Sequence, residues 1–220
     1  MAADRVPYAR AAKIHLTKSD PAMARIVAGV GTIKLIPRRE RFQALVRAII
    51  FQQLAGAAAT AIYNRFVALY PDADFPSPER VLATRDPILR SAGLSPQKIL
   101  YIKDLAAHVR DRTLNFHRFH RMTDDEIIAD LTRVKGIGRW TAEMFLMFNL
   151  GRADVFPVDD LGIQNALKRA YRMRTRPKKK RMLKIAEQWR PYRSAATWYL
   201  WRSLSIVLPE LPPTVRKKRK

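Results

Sequence analysis

The chain has 220 residues, 48% of them hydrophobic, enough to build one large domain or two small lobes around a real core. Its 42 Lys and Arg outnumber 19 Asp and Glu, for a net charge of +23, which asks for a polyanionic partner such as nucleic acid. The absence of cysteine excludes disulfides, thiolate zinc sites and Fe–S clusters. No apolar run approaches the roughly 18 residues of a membrane span. The opening MAADRVPYAR has no secretory apolar segment. The reading is therefore an intracellular protein that makes no use of a membrane.

Taken in chain order, the predicted elements are all helical. Asp20-Pro21 offers a capping side chain followed by proline at the first helical position, and predicts a helix over 20–29. Phe42, Leu45, Val46, Ile49 and Ile50 share one helical face and predict 40–54, with 56–70 after it. Ser77-Pro78, Asp86-Pro87 and Ser95-Pro96 repeat the cap-then-proline pattern, and open helices over 78–84, 87–92 and 96–111. Residues 112–122 are rich in Arg and His and read as a solvated loop. Thr123 followed by Glu126 is a capping box for 124–133. Further helices are expected over 139–149, 161–171, 179–189 and 193–207. Residues 209–220, ending Arg216-Lys217-Lys218-Arg219-Lys220, read as a basic, solubilising tail. No alternating strand pattern and no fixed-period repeat is present.

The segment from Leu131 to Ala142 carries the most chemistry. An amphipathic helix meets the turn Gly136-Ile137-Gly138, and a second helix starts at once. Two glycines permit positive φ and a close backbone approach. Backbone N–H groups and the next helix N-terminus then point outward and form an anion site. In a chain of this charge the natural anion is a DNA phosphate, which fixes register without reading sequence. A bare Gly-x-Gly corner between helices needs no ligand; the neighbouring residues decide otherwise.

Val134-Lys135-Gly136-Ile137-Gly138-Arg139-Trp140-Thr141-Ala142, followed by Val158-Asp159-Asp160, resembles the helix–hairpin–helix DNA glycosylase superfamily, within it the 3-methyladenine DNA glycosylase II branch. Ile49 to Leu54, Ser91 to Ser95 with Lys98 and Tyr101, Asp154 to Asp160, and Trp189 to Ser194 with Trp201 extend the similarity from about residue 20 to 206. The resemblance implies an all-α fold with two helical lobes flanking a DNA-binding cleft. One lobe is expected over 38–150, with its hairpin at 134–139, and the other from 1–37 plus 151–208. Asp160 would face Trp140 across the cleft.

It also implies a monofunctional glycosylase of base excision repair. Such an enzyme flips an alkylated purine (3-methyladenine or 7-methylguanine) out of double-stranded DNA and hydrolyses its glycosidic bond. On this resemblance Asp160 is the catalytic carboxylate, with Asp159 and Arg193 in support. Read without it, either Asp is more simply a helix cap. Trp140, Met144 and Trp201 are the expected pocket residues, Met144 standing where the best-known bacterial form has a tyrosine. Trp189 and Trp198 read as core. Gln52, Gln53, Leu54, Lys135, Gly136, Gly138, Arg139 and Thr141 are expected to meet DNA, with either Gln53 or Leu54 as the minor-groove wedge. The residues 168–193 hold 12 Lys or Arg and one Glu, and part of that run is expected to follow the backbone.

Relatives that also nick the strand use a lysine as Schiff-base nucleophile where this chain has Trp140, so no lyase step is expected. The resemblance calls for no organic cofactor and allows a monovalent cation at the hairpin carbonyls. The partner is double-stranded DNA and the enzyme acts as a monomer, in the nucleoid if bacterial or the nucleus if eukaryotic. Three rival readings share the charge and the glycines: an idle helix–hairpin–helix DNA binder, a glycosylase for deaminated purines, and, more weakly, a bifunctional lyase.

Overall fold

The computed structural model describes residues 6–206, which hold twelve α-helices, two short 3-10 turns and no β-strand. The described chain divides into two compact units. One joins the residues up to Pro37 with those from Gly151 onward; the other is Arg38–Leu150.

In the first unit, α1 (Ala9–Ser19) and α2 (Pro21–Val30) are followed, after the second unit, by α10 (Leu161–Ala170), α11 (Lys179–Ala186) and α12 (Arg193–Ser203). Asp20 caps α2 as expected, accepting the Ala22 amide at 2.8 Å, with Pro21 next. α12 is the central element: Ala195, Ala196, Thr197, Trp198, Tyr199 and Leu200 are all buried, and it packs against α1, α2 and α10. α10 presents Ile163, Ala166, Leu167 and Ala170, the i, i+3, i+4, i+7 stripe of an amphipathic helix. The helix expected over 179–189 stops at Ala186, and Glu187–Trp189 tightens into a 3-10 turn that buries Trp189. α1 escaped the sequence reading. It buries only Ala12 and Leu16, leaves Ile14 exposed and has no capping side chain.

The second unit runs α3 (Arg41–Phe51), α4 (Gly56–Ala68), α5 (Pro78–Ala83), α6 (Asp86–Ser91), α7 (Pro96–Arg110), α8 (Asp124–Thr132) and α9 (Arg139–Phe148). Its core gathers Leu45, Val46, Ile49 and Ile50 of α3 with Ile99, Ile102 and Leu105 of α7. Ser77 and Ser95 cap α5 and α7, and Thr123 and Glu126 form the expected capping box on α8. Asp86 does not cap: Arg85 occupies that position, and the Asp86 carboxylate pairs with Lys103 of α7 instead.

Two further expectations change. α3 ends at Phe51, three residues early, because the Lys98 ammonium caps the carbonyls of Ile50 (2.6 Å) and Gln52 (3.0 Å) and Gln53 turns to φ 56°. The 112–122 stretch is not solvated throughout. Leu114 and Phe119 are buried, and Phe119 meets Phe116 and Phe145 edge to face at 5.6 and 6.1 Å. Its Arg and His residues are the outer face of an anchored loop. The 209–220 tail lies outside the described residues.

Candidate active site

In the first unit the segment before α10 is fixed to the start of α12. The Ser194 amide donates to the Ala153 carbonyl at 2.9 Å. The Ser194 hydroxyl donates to the Arg152 carbonyl (2.6 Å) and accepts the Val155 amide (2.9 Å). Arg193 donates Nε to Asp154 Oδ1 (2.7 Å) and Nη2 to the Asp154 carbonyl (2.9 Å), and Arg190 reaches Asp154 Oδ2. Phe156 meets Trp189 edge to face at 5.8 Å.

That frame delivers Asp160 to the N-cap of α10, where Oδ1 accepts the Ile163 amide at 2.8 Å. The indole N–H of Trp201, from α12, donates to the same oxygen at 3.0 Å. Asp160 is only 9% exposed. One oxygen therefore meets both a helix N-terminal amide and a side-chain N–H. Gly162 keeps this corner open: a Cβ there would lie 3.0 Å from Asp160 Oδ1 and 3.2 Å from Trp201 Cδ1. Capping belongs to Asp160 alone, since Asp159 is half-exposed and pairs with Lys179 Nζ at 2.5 Å.

In the second unit the hairpin joins α8 to α9. Gly136 takes φ 82° and lies under the Tyr101 ring, whose Cδ2 would be 2.2 Å from an added Cβ. Both conditions demand glycine. Gly138 does not use positive φ; it is the N-cap of α9 at φ −91°, and a Cβ there meets nothing within 4 Å. Its contribution is an open outer face. Among the described residues nothing accepts from the amides of Gly138, Arg139 or Thr141, the donor arrangement an anion needs. Lys135 is drawn to α7, its amide donating to Asp104 at 2.9 Å. Arg139 donates to the buried Glu143 carboxylate at 3.0 Å and faces Asp125 at 3.8 Å, so its charge braces α9 against α8.

A cavity of about 560 Å³ adjoins the hairpin, lined by Gln52, Gln53, Lys98, Gly136, Trp140 and Thr141 among others. Gln52 donates to the Gly136 carbonyl at 2.8 Å and ties the end of α3 to the hairpin. Gln53 holds left-handed backbone without being glycine, a strained conformation of the kind concentrated at functional sites. Leu54 beside it is an exposed apolar side chain. Trp140, 49% exposed, presents its ring to this cavity; Met144, one turn on, is half-buried and does not line it.

Sequence reasoning missed Lys98, Asp154 and Lys179 as site residues. Burial holds the Lys98 ammonium below its ordinary range; the sequence showed it as part of a segment similar to the family but gave no role for it. Asp154 and Lys179 find partners 39 and 20 residues away in sequence, which no local pattern encodes. Among the described residues no cluster of His, Asp or Glu could hold a metal ion, and no helix is long and apolar enough to cross a membrane.

Residues 46–191 match the HhH-GPD superfamily of base excision DNA repair proteins. The chain is 38% identical over 199 residues to DNA-3-methyladenine glycosylase 1 of Schizosaccharomyces pombe, covering 89% of this chain and 87% of that one. The solved structure of the S. pombe 3-methyladenine DNA glycosylase in complex with abasic DNA matches with a TM-score of 0.78, covering 89% and 97%. A DNA-3-methyladenine glycosidase from Bacillus halodurans matches at 35% identity and a TM-score of 0.77, covering 86% and 88%. The chain therefore belongs to the HhH-GPD superfamily, as its hairpin and carboxylate motifs imply.

Proposed function

We propose that this chain is a monofunctional DNA glycosylase of base excision repair, hydrolysing the N-glycosidic bond of 3-methyladenine and 7-methylguanine in double-stranded DNA. The carrying observation is the Asp160 carboxylate, sheltered at a helix N-terminus and oriented by the Trp201 indole. Departure of the base leaves its bonding electrons with the purine and builds positive charge at C1′. A fixed, shielded carboxylate stabilises that charge. It also accepts a proton from the attacking water as the C1′–O bond forms. An alkylated purine carries its own positive charge, which weakens the bond and attracts an exposed indole face. Trp140 and Trp201 suit that role. Met144, outside the hairpin cavity, is given no contact in it.

The bare amides of Gly138, Arg139 and Thr141 suit a DNA phosphate, and the strained Gln53–Leu54 turn suits entry into the minor groove. Gln52, Lys135 and Gly136 build that surface. Arg193 and Asp159 act at one remove, through Asp154 and Lys179. Position 140 offers an indole where a lyase needs an amine, so the product is an abasic site without a nick. No step calls for an organic cofactor. The Gly136 and Val134 carbonyls already accept from Gln52 and the Ile137 amide, so a monovalent cation at the hairpin would draw on neighbouring carbonyls. The enzyme is read as a monomer acting on chromosomal DNA.

The test is base release from methylated duplex DNA by wild type and Asp160→Asn, with a hypoxanthine duplex alongside. Asparagine is an equally good N-cap, so the fold stays while the charge goes. The expected result is release of 3-methyladenine that falls at least about a thousandfold in the variant, with DNA binding kept. Binding without release from any substrate would leave an idle DNA binder.

A further inference from the structure

We propose that the loop between α10 and α11 is a second phosphate-binding site, taking the backbone of undamaged duplex that flanks the target base. A cavity of about 930 Å³ opens there in the first unit, lined by residues from Tyr171 to Lys184. Seven of its eleven lining residues are Lys or Arg, including Arg174, Arg176, Lys178 and Lys180, and none is acidic. Among the described residues none of the seven has a carboxylate within ion-pair distance. The nearby Lys179, by contrast, is paired with Asp159.

These cations stand on a fixed frame. Pro177 is buried in the loop, and Met182 and Ala186 anchor α11. Burial of that frame forces like charges together, and the mutual repulsion is relieved when a polyanion enters. The volume exceeds what one inorganic anion fills and suits successive phosphodiesters with their sugars. The site is also continuous with the catalytic flank. Asp159, the neighbour of Asp160, holds Lys179, and Lys178 and Lys180 on either side line the cavity.

The inference rests on reading DNA as the substrate, and binding alone tests it. Affinity for an undamaged duplex of about 20 base pairs is measured by anisotropy over a NaCl series. The variant is Arg174→Ala/Arg176→Ala/Lys178→Ala/Lys180→Ala. A control removes four exposed cations elsewhere in the same unit, Arg10→Ala/Lys13→Ala/Lys18→Ala/Lys34→Ala. Thermal melts confirm that both fold. Each lost phosphate contact removes about 0.9 from the slope of log K against log salt, so the loop variant should lose about 2–4 in slope and at least tenfold in affinity near 0.1 M salt. The control should keep the wild-type slope. An unchanged slope in the loop variant, or an equal drop in the control, overturns the proposal while leaving the catalytic reading to the Asp160→Asn comparison. Absence of any wild-type DNA binding overturns both.

Discussion

At the scale of single residues, the corner around Asp160 Oδ1 rests on two residues: Trp201, which donates to that oxygen, and Gly162, whose missing side chain leaves it room. Trp201→Phe keeps an aromatic ring and removes the five-membered ring with the N–H that donates to Oδ1 at 3.0 Å. A hydrogen bond to a charged group contributes about 1.5–3 kcal/mol, so single-turnover base release should slow roughly 10- to 150-fold with DNA affinity nearly kept. A wild-type rate would remove Trp201 from the machinery. Gly162→Ala tests placement instead of charge. Alanine favours the helix by about 1 kcal/mol over glycine, so the melting temperature should hold or rise. Its methyl would sit 3.0 Å from the carboxylate oxygen, and release should fall at least tenfold through misplacement. Full activity in a stable Gly162→Ala protein would count against so narrow a tolerance. The sequence exposed Asp160 through its motif and its N-cap position, yet Asp159 had equal claim to the cap. The Trp201 bond to Asp160 and the pairing of Asp159 with Lys179 separate them, and both partners are remote in the chain.

At the scale of elements, the hairpin turns on one glycine and one ring. Gly136→Ala faces both a left-handed backbone, costing about 1–2 kcal/mol, and a clash with Tyr101. The clash vanishes if the ring is removed, while the backbone cost stays. A double-mutant cycle with Tyr101→Ala should therefore give a coupling of about 1–3 kcal/mol in denaturant unfolding. Strict additivity would mean that Tyr101 does not press on the turn. Gly-x-Gly between amphipathic helices was readable because turn chemistry is local. The two glycines were not equivalent, however, and the sequence had no means to say that Gly138 would keep ordinary φ. The end of α3 was misread for a related reason. Its stop signal is Lys98, which reaches back from α7, whereas periodicity alone carries the helix on through Gln52 and Gln53. Phe119 in the basic 112–122 stretch shows the converse, a single buried ring masked by charged neighbours.

At the scale of the molecule, the first unit is assembled from two stretches that the whole second unit separates in sequence. Asp20 gathers several of the hydrogen bonds that join them. Its carboxylate is 2% exposed, caps α2 through Ala22, and accepts from the Trp189 indole at 2.8 Å, the Gln188 amide at 3.3 Å and the Tyr171 hydroxyl. Burial, reinforced by that carboxylate, pushes the Tyr171 hydroxyl well above its ordinary range, so it remains a donor. From the sequence Asp20 was only a cap before a proline, since Tyr171, Gln188 and Trp189 lie 151, 168 and 169 residues on. Asp20→Ala removes the cap and strands buried donors from the other stretch, each costing about 1–3 kcal/mol. The sum should reach about 3 kcal/mol or more, a fall of about 6–12 °C in melting temperature for a chain of this size. The second unit holds none of these residues, so the loss should be seen first in the first unit's amides by hydrogen exchange. A loss under about 1 kcal/mol would mean that the two stretches are held by the packing of α12 on α1 and α2 and by bonds such as Arg25 to the Ala170 carbonyl, with the carboxylate network contributing little.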